Sequence, residues 1–385
     1  MRMLIRTFGI AVLAPWALTA APAAAAPGQE PEEPRPQEQV EEEIQVTEVL
    51  LDVLVTDRRG NVVLGLGADD FVVEEDGEPV ELTDVTFYSN RRFLESADRA
   101  EALGVDAAQV PTERYFILFF HDQRNALPRV TAQLLDAGRR ARQWVETDLL
   151  PTDHVAVVGY DYDLDVFQDF TTDEEAILEA IGQAVRGVEP EPWPSRRQPA
   201  EGPSLLDAAL SPGEAADVTE RIYGAMQLIA KGAEDVPGRK NLILFSLGFG
   251  EVSTFGFYTP DSRYYRPMVN DLNDANVAVY AVDLISVEAG GALRDNLYGN
   301  SLSQLASDTG GRYYFNFVNF LAPLEQIAQD NSGYYLLAYR SPHPRGESGY
   351  QEVRVETTNP EFRVRAREGY EWGEDEGGSA ERGRR

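Results

Sequence analysis

Four apolar runs in the middle of the chain place the strongest limit on its fold. They are YFILFF (115–120), HVAVVGY (154–160), NLILFS (241–246) and VAVYAVD (277–283). Their apolar residues are continuous, which is typical of parallel strands buried on both faces. Helical periodicity lies between and after them, in 129–149, 173–185, 219–233 and 301–311. Strands and helices in alternation predict a doubly wound α/β domain over residues 113–332.

Both flanks of this domain show alternating patterns instead. Val49, Leu51, Val53 and Val55 fall on one face of a strand, and Asp76-Gly77 marks a hairpin turn. The alternation returns in YQEVRVET (350–357) and EFRVRARE (361–368). Neither set alone has enough strands for a stable core. We therefore predict that residues 45–90 and 333–372 together form one β-sandwich of about six strands, split by the α/β domain.

The first 25 residues predict a Sec-type signal peptide. Arg2 and Arg6 flank an apolar stretch, and Ala23 and Ala25 precede the expected cleavage point. That stretch is shorter than the roughly 20 residues that span a bilayer, and no later segment of that length lacks charges. Residues 26–44, rich in Pro, Glu and Gln, predict a disordered spacer, and 373–385 a disordered tail. We expect an exported protein without a transmembrane segment, in the periplasm or outside the cell.

Composition excludes several classes of function. The chain has no cysteine, which excludes disulfides, thiol catalysis and zinc-thiolate sites. Its 65 acidic residues outnumber its 34 basic ones, for a formal net charge of -31. A surface of this charge repels phosphate backbones, so we expect no nucleic-acid partner.

Candidate functional residues lie where the apolar runs end. In a doubly wound sheet, ligands bind outside the carboxyl ends of the strands, and Asp122, Ser246 and Asp283 stand there. The segment 247–267 leaves the same edge as a predicted loop rich in aromatic residues, namely Phe249, Phe255, Phe257, Tyr258, Tyr264 and Tyr265. These aromatic residues suit a protein interface, and they equally suit packing onto the domain.

The order of several segments resembles a known family. They are LVTDRRGNVVLGLGADDFVVEEDGEPVEL (54–82), the strand ending in aspartate, PGRKNLILFSLGF (237–249), LASDTGGRYYF (305–315), YYLLAYRSP (334–342) and FRVRAREGYE (362–371). Together they resemble the bacterial von Willebrand factor A-related domain proteins, from about Val46 to Glu371. The resemblance implies a von Willebrand factor A fold that serves as an interaction module and is not an enzyme.

The resemblance also implies a metal site, which this chain matches only in part. In the wider A-domain family a divalent cation is held by an Asp-x-Ser-x-Ser motif, a later threonine and a late aspartate. Asp122 matches the first position and Thr219 the threonine, but Arg124 and Ala126 stand at the serine positions and Leu247 at the late aspartate. The adhesion motif is therefore degenerate. We expect no cofactor, with Mg²⁺ or Ca²⁺ completed by water as the alternative.

The side chain of Arg124 allows two hypotheses for the carboxyl edge of the sheet. An arginine stays protonated and cannot ligate a cation, so it competes with a metal. One hypothesis is that Arg124 pairs with Asp122 in the cation's place, and the other is that it points into solvent. The predicted protein-binding surface consists of Asp122, Arg124, Asn125, Thr219 and Ser246 with the aromatic loop from Phe249 to Tyr265, which includes Phe255, Phe257 and Tyr258.

A serine hydrolase is the competing class. Ser246, Asp283 and His343 occur in the chain order of an α/β-hydrolase triad. The nucleophile elbow is absent, because Leu244 stands where Gly-x-Ser-x-Gly needs glycine. A second acidic motif, DYDLD (161–165), predicts a solvated hairpin turn in preference to a calcium site.

Overall fold

The computed structural model describes residues 48–89, 113–123, 130–188, 204–205, 217–236, 238–252, 258–284, 300–315, 317–341 and 349–372. The predicted signal peptide, spacer and tail lie outside these ranges. The strands are β1 (Glu48–Thr56), β2 (Phe71–Glu75), β3 (Glu78–Val80), β4 (Leu82–Ser89), β5 (Arg114–His121), β6 (Asp153–Tyr160), β7 (Leu164–Thr171), β8 (Lys240–Ser246), β9 (Glu251–Val252), β10 (Tyr258–Thr259), β11 (Val277–Asp283), β12 (Arg312–Tyr314), β13 (Gly333–Arg340), β14 (Gly349–Thr357), β15 (Arg363–Arg365) and β16 (Gly369–Trp372). The helices are α1 (Val130–Asp148), α2 (Glu174–Arg186), α3 (Ile222–Ala233), α4 (Ser262–Asp274), α5 (Asn300–Asp308) and α6 (Leu321–Asp330).

A six-stranded sheet forms the centre of the molecule, in the order β12-β11-β8-β5-β6-β7. Neighbouring strands run parallel except for β7, which is antiparallel to β6. Helices α3, α4 and α5 contribute to the apolar core on one face, and α1, α2 and α6 to the core on the other. The predicted doubly wound α/β domain is confirmed, and it is the fold that the family resemblance implies.

The flanking β-domain consists of two four-stranded sheets, ordered β15-β1-β13-β4 and β16-β14-β2-β3. Strands from both ends of the chain pair within each sheet, β1 with β13 and β2 with β14. Their inward side chains form one core, in which Leu51 and Tyr335 are fully buried. The predicted sandwich is confirmed, although it has eight strands where the sequence indicated about six. The four-residue β16 is too short to show an alternating pattern.

Helix α4 corrects the predicted aromatic loop. Asp261 caps this helix, because its side chain accepts a hydrogen bond from the Arg263 backbone N–H at 3.1 Å. Tyr264 and Tyr265 therefore lie on a helix and not on a loop. Pro267, inside the helix, concealed the helical pattern in the sequence.

Charged side chains join the sandwich to the α/β domain. Arg365 on β15 donates to Asp330 at the end of α6, with Nη2 and Oδ2 2.5 Å apart. Arg367 donates to the backbone oxygens of Asn273 (3.4 Å) and Leu50 (2.9 Å), one in each domain. Asp330 is only 2% exposed. We call Asp330, Arg365 and Arg367 the interdomain seam.

Asp52 on β1 lies next to this seam. Asp52 as a whole is half-buried, but both of its carboxylate oxygens are shielded from solvent. Burial raises the pKa of Asp52, and the positive charges of Arg239 and Arg367 only partly oppose that effect. The free-energy cost of removing the Asp52 carboxylate from water is therefore larger than the favourable electrostatic interaction with the two arginines.

Candidate binding surface at the carboxyl edge

The strand order of the six-stranded sheet reverses between β5 and β8. The chain continues from β5 to β6 on one side, whereas β8 lies on the other. Ligands of doubly wound sheets bind at such a reversal, outside the carboxyl ends of the strands. Here those ends are His121 and Ser246, and we call this place the switch point.

His121 and Ser246 bond to each other across the switch point. His121 Nδ1 and Ser246 Oγ lie 2.8 Å apart, and the Gly248 backbone N–H donates to the same oxygen at 3.0 Å. Ser246 is completely buried and His121 is 7% exposed. The serine hydroxyl is thus held on two sides within the protein.

Gln123, in the loop that follows β5, forms hydrogen bonds at the switch point as well. Its Oε1 accepts from the Leu247 backbone N–H at 2.8 Å and from Ser246 Oγ at 3.2 Å. Its Nε2 donates to the Gly248 backbone oxygen at 3.0 Å. A single amide therefore satisfies a donor, an acceptor and a hydroxyl of the β8 loop, which a carboxylate cannot do.

The hydrogen-bond network is electrically neutral. Burial lowers the pKa of His121 to about 3, and the nearby charge of Asp122 opposes this without overcoming it. His121 is therefore an uncharged imidazole at neutral pH. With neutral His121, Ser246 and Gln123, the switch point contrasts with the acidic cluster that a cation needs.

The other described residues predicted for the metal position are Asp122, Thr219 and Leu247. Asp122 is half-buried, and its backbone N–H donates to the Tyr160 oxygen at 2.7 Å. Thr219 is buried, with its hydroxyl accepting from the Leu164 backbone N–H at 3.3 Å. Leu247 packs in an apolar core. Arg124 and Asn125 lie outside the described residues, so both hypotheses for Arg124 stay predictions.

Within the described residues, no group of three or more His, Cys, Asp or Glu side chains is arranged to hold a metal ion. The acidic motif DYDLD includes the tight connection between β6 and β7, which pair antiparallel from Tyr160 and Leu164 onward. Tyr162 at its tip is 66% exposed. The predicted hairpin turn is confirmed.

The aromatic segment divides into buried and half-buried residues. Phe249 is 3% exposed and Tyr265 5% exposed. Phe249 contacts Tyr223 edge to face at 5.5 Å, and the Tyr265 hydroxyl donates to Asp308 at 2.6 Å. These two aromatic residues stabilise the core and are not available to a partner, which corrects the predicted surface. Tyr258 is half-buried on β10, and Phe255 and Phe257 lie outside the described residues.

Three exposed side chains at this edge were missed by the sequence analysis. Tyr162 follows β6, and Phe315 and Val318 follow β12, with exposures of 66%, 47% and 87%. All three follow strands that run parallel to β5, so they lie at the same edge as the switch point. Single apolar residues in short connections carry no periodic signal, and no sequence pattern marked them.

The geometry around Ser246 does not suit a nucleophile. Its histidine partner is His121, whereas the expected His343 lies outside the described residues. An α/β-hydrolase uses the N–H of the residue after the nucleophile to stabilise the oxyanion, but the Leu247 N–H is bonded to Gln123. Asp283 accepts from the Tyr313 hydroxyl at 2.9 Å.

No helix within the described ranges has the length and apolarity needed to cross a membrane. No protein-family model matches the sequence, and no curated protein matches it.

Several solved structures resemble the fold at low similarity. An aerotolerance-related membrane protein from Bacteroides fragilis NCTC 9343 is 12% identical with a TM-score of 0.36, over 56% of this chain and 98% of that chain. The conserved hypothetical protein BatB from Bacteroides thetaiotaomicron is 13% identical with a TM-score of 0.35, over 56% of this chain and 96% of that one. Proximal thread matrix protein 1 from the mussel byssus, with a zinc-occupied MIDAS motif, is 14% identical with a TM-score of 0.32, over 56% and 47% of the two chains. Likenesses of this size say nothing about what the chain binds.

Proposed function

We propose that this chain is an exported protein-interaction module of the adhesion type, which binds a protein partner through the carboxyl edge of its α/β domain without a complete metal site. The observation that carries the proposal is the pairing of a closed, neutral switch point with exposed apolar side chains at the same edge. The closed, neutral switch point favours a surface that neither catalyses a reaction nor holds a cation. The exposed apolar side chains favour contact with another protein.

The neutral network supports metal-independent binding. A divalent cation at the switch point would need oxygen ligands with negative charge, and the groups between β5 and β8 are an imidazole, a hydroxyl and an amide. The amide of Gln123 already uses both of its polar atoms within the protein. In this proposal Asp122 with Arg124 and Asn125 forms a polar part of the surface.

The exposed side chains support a protein as the partner. Tyr162 and Val318 are large apolar groups in water, at opposite sides of the edge. Exposed aromatic side chains are enriched in protein interfaces. Phe255, Phe257 and Tyr258 belong to the same proposed surface, from which Phe249 and Tyr265 are removed by their burial.

The proposal excludes serine hydrolysis at Ser246. This hydroxyl is inaccessible to water, and its neighbouring N–H is already bonded. An active-serine probe should therefore leave Ser246 unlabelled in the folded protein, and labelling at this residue would favour the hydrolase instead.

Affinity capture with matched variants tests the surface. The bait proteins are the wild type, a Tyr162→Asp/Val318→Asp double variant, and Val72→Asp, whose valine is 41% exposed on the sandwich. We expect the double variant to lose its partner by tenfold or more, on the order of 1.4 kcal/mol, while Val72→Asp captures as the wild type does. Equal capture by all three would remove these residues from the surface, provided that all three melt at similar temperatures.

A further inference from the structure

Two exposed side chains, Tyr162 and Val218, lie at one corner of the carboxyl edge. Tyr162 is at the tip of the hairpin between β6 and β7, and Val218 lies in the segment just before α3, with exposures of 66% and 47%. The Thr219 hydroxyl accepts a hydrogen bond from the Leu164 backbone N–H at 3.3 Å. Because this bond holds the segment against the hairpin, the two exposed side chains belong to one surface.

Acidic side chains surround this pair. Three exposed acids are their direct neighbours in the chain, namely Asp161, Asp163 and Asp217. Glu220 is also exposed, and its backbone oxygen accepts from the Tyr160 hydroxyl at 3.2 Å. Burial raises the pKa of Tyr160, and the nearby charges of Asp163, Asp161 and Glu220 raise it further. Since three carboxylates act on one hydroxyl, they lie close to one another. We define the acidic corner as Asp161, Tyr162, Asp163, Asp217, Val218 and Glu220.

The described bases near the acidic corner do not neutralise it. Arg221 pairs with Glu220 at 3.5 Å, and its guanidinium carbon lies 5.0 Å from the centre of the Tyr264 ring. On the same ring lies Arg263, whose guanidinium is bonded twice to the Asp261 carboxylate. Four carboxylates against the single guanidinium of Arg221 leave an excess of three negative charges at the acidic corner.

This excess charge indicates the chemistry of the partner. Carboxylates attract lysine and arginine side chains and repel acidic surfaces, so charge complementarity selects a basic partner. The exposed ring of Tyr162 adds a face over which an ammonium or guanidinium group binds favourably. The alternative is a metal ion, but within the described ranges no acids are grouped so as to hold one.

We propose that the acidic corner binds a basic segment of the protein partner. Its carboxylates pair with lysine or arginine groups of that segment, and Tyr162 and Val218 contact the apolar stems of the same side chains. Lysine and arginine suit such a surface, because each has a charged head on an apolar stem. The inference rests on the proposed function and identifies the chemistry of the partner at that surface.

Photocrosslinking with a basic peptide tests this inference on the full chain. The probe is tri-arginine amide carrying a benzophenone, used at about 0.15 M ionic strength, where distant charges are screened. Mass spectrometry locates each crosslink, which separates the acidic corner from acids elsewhere in the chain. We expect crosslinks within residues 160–164 and 217–221. Tri-citrulline amide with the same label has a similar shape without the charge, and its yield there should be at least about fivefold lower.

Matched variants separate local charge from total charge. Asp161→Asn/Asp163→Asn should lower the crosslink yield at the acidic corner at least about fivefold. Glu78→Gln/Glu81→Gln removes the same number of charges from exposed acids of the sandwich, and its yield should match the wild type. Tyr162→Ala keeps every charge and should lower the yield about threefold through loss of the ring.

Three results would overturn the inference. The first is the absence of tri-arginine crosslinks at the acidic corner, and the second is an equal yield there with tri-citrulline. The third is an equal loss in the two double variants, since this would indicate a general response to the acidic chain. If millimolar Ca²⁺ abolished the crosslinks and NaCl of equal ionic strength did not, the acidic corner would be a cation site instead.

Partner capture distinguishes this inference from the proposed function. We expect Asp161→Asn/Asp163→Asn to lose the partner at least about tenfold, as Tyr162→Asp/Val318→Asp does. If only the Tyr162→Asp/Val318→Asp variant lost it, the proposed surface would stand and the basic partner would be excluded. Retention by both variants would contradict the proposed surface as well.

Discussion

The switch point and the interdomain seam are both buried polar regions, but the first consists of neutral groups and the second of charged groups. At the switch point His121, Ser246 and Gln123 bond as neutral groups. At the seam Arg365 and Asp330 bond as full charges, with the carboxylate side chain 1% exposed. Removing one member of a buried neutral network costs about 1 to 3 kcal/mol, whereas breaking a buried ion pair costs about 3 to 5 kcal/mol because a charge is left without compensation. The two regions should therefore respond differently to mutation and to pH.

The seam should give the largest effect on stability. Asp330→Ala leaves the Arg365 guanidinium, whose side chain is 23% exposed, without its carboxylate. We expect a loss of about 3 to 5 kcal/mol in the free energy of unfolding, measured by chemical denaturation. Asp136→Ala is the control, because it breaks an ion pair with an Arg139 side chain that is 70% exposed. Similar losses in both variants would show that the seam is no stronger than a surface pair.

Acidification should act on the switch point through His121. Because the folded-state pKa of about 3 lies below the ordinary value of 6.5, the stabilising contribution is present above pH 6.5 and declines as pH falls. At pH 5 the loss amounts to about 2 kcal/mol. The stability of wild type minus that of His121→Gln, measured from pH 7.5 to 5, should fall by about this amount. A constant difference across that range would contradict the neutral buried imidazole.

Removing Gln123 should cost less than breaking the seam. Gln123→Ala leaves the Leu247 N–H and the Gly248 oxygen without their side-chain partner. We expect a loss of roughly 1 to 2 kcal/mol by chemical denaturation. Gln183→Ala, which removes an exposed helix-surface bond to Glu179, should lie within roughly 0.5 kcal/mol of wild type. Equal stability of the two variants would show that the Gln123 amide does not stabilise the switch point more than a surface hydrogen bond does.

The smallest effect, and one of opposite sign, is expected beside the seam. Since burial raises the pKa of Asp52, the folded state binds its proton more tightly than the unfolded state, and stability falls as pH rises through the ionisation range. Asp52→Asn should thus melt slightly higher than wild type at pH 7, by about 1 kcal/mol in stability, and the gain should shrink toward pH 4. A lower melting temperature for the variant at pH 7 would mean that the arginines compensate the charge fully.

The elements of the fold were predictable wherever they carried a period. Continuous apolar runs located β5, β6, β8 and β11, and alternation located the sandwich strands from both ends of the chain. Helix α4 was missed, since Pro267 and the surrounding aromatic residues resemble a loop. Its Asp261 cap, followed by the buried Tyr265, Met268, Val269 and Leu272 at helical spacing, is the signal that indicates it.

The candidate site was less predictable, because its contacts join residues far apart in the chain. Asp122 and Ser246 were placed at the correct edge from strand ends alone. Gln123 lies next to Asp122, but only the structure shows its amide bonded to Leu247, 124 positions away. Arg365 on β15 and Arg367 after it likewise bond to the other domain, although the sequence shows only that they alternate with apolar residues. Such pairings depend on tertiary contact and leave no periodic pattern.

Magnesium titration tests the central claim, that the carboxyl edge functions without a bound cation. The melting temperature of the purified protein would be measured with millimolar Mg²⁺, then with excess chelator, and again in Asp122→Ala. A cation that binds only the folded state must raise the melting temperature by mass action. The account predicts the same melting temperature in Mg²⁺ and in chelator. A clear rise in Mg²⁺ that chelator reverses and Asp122→Ala abolishes would contradict it.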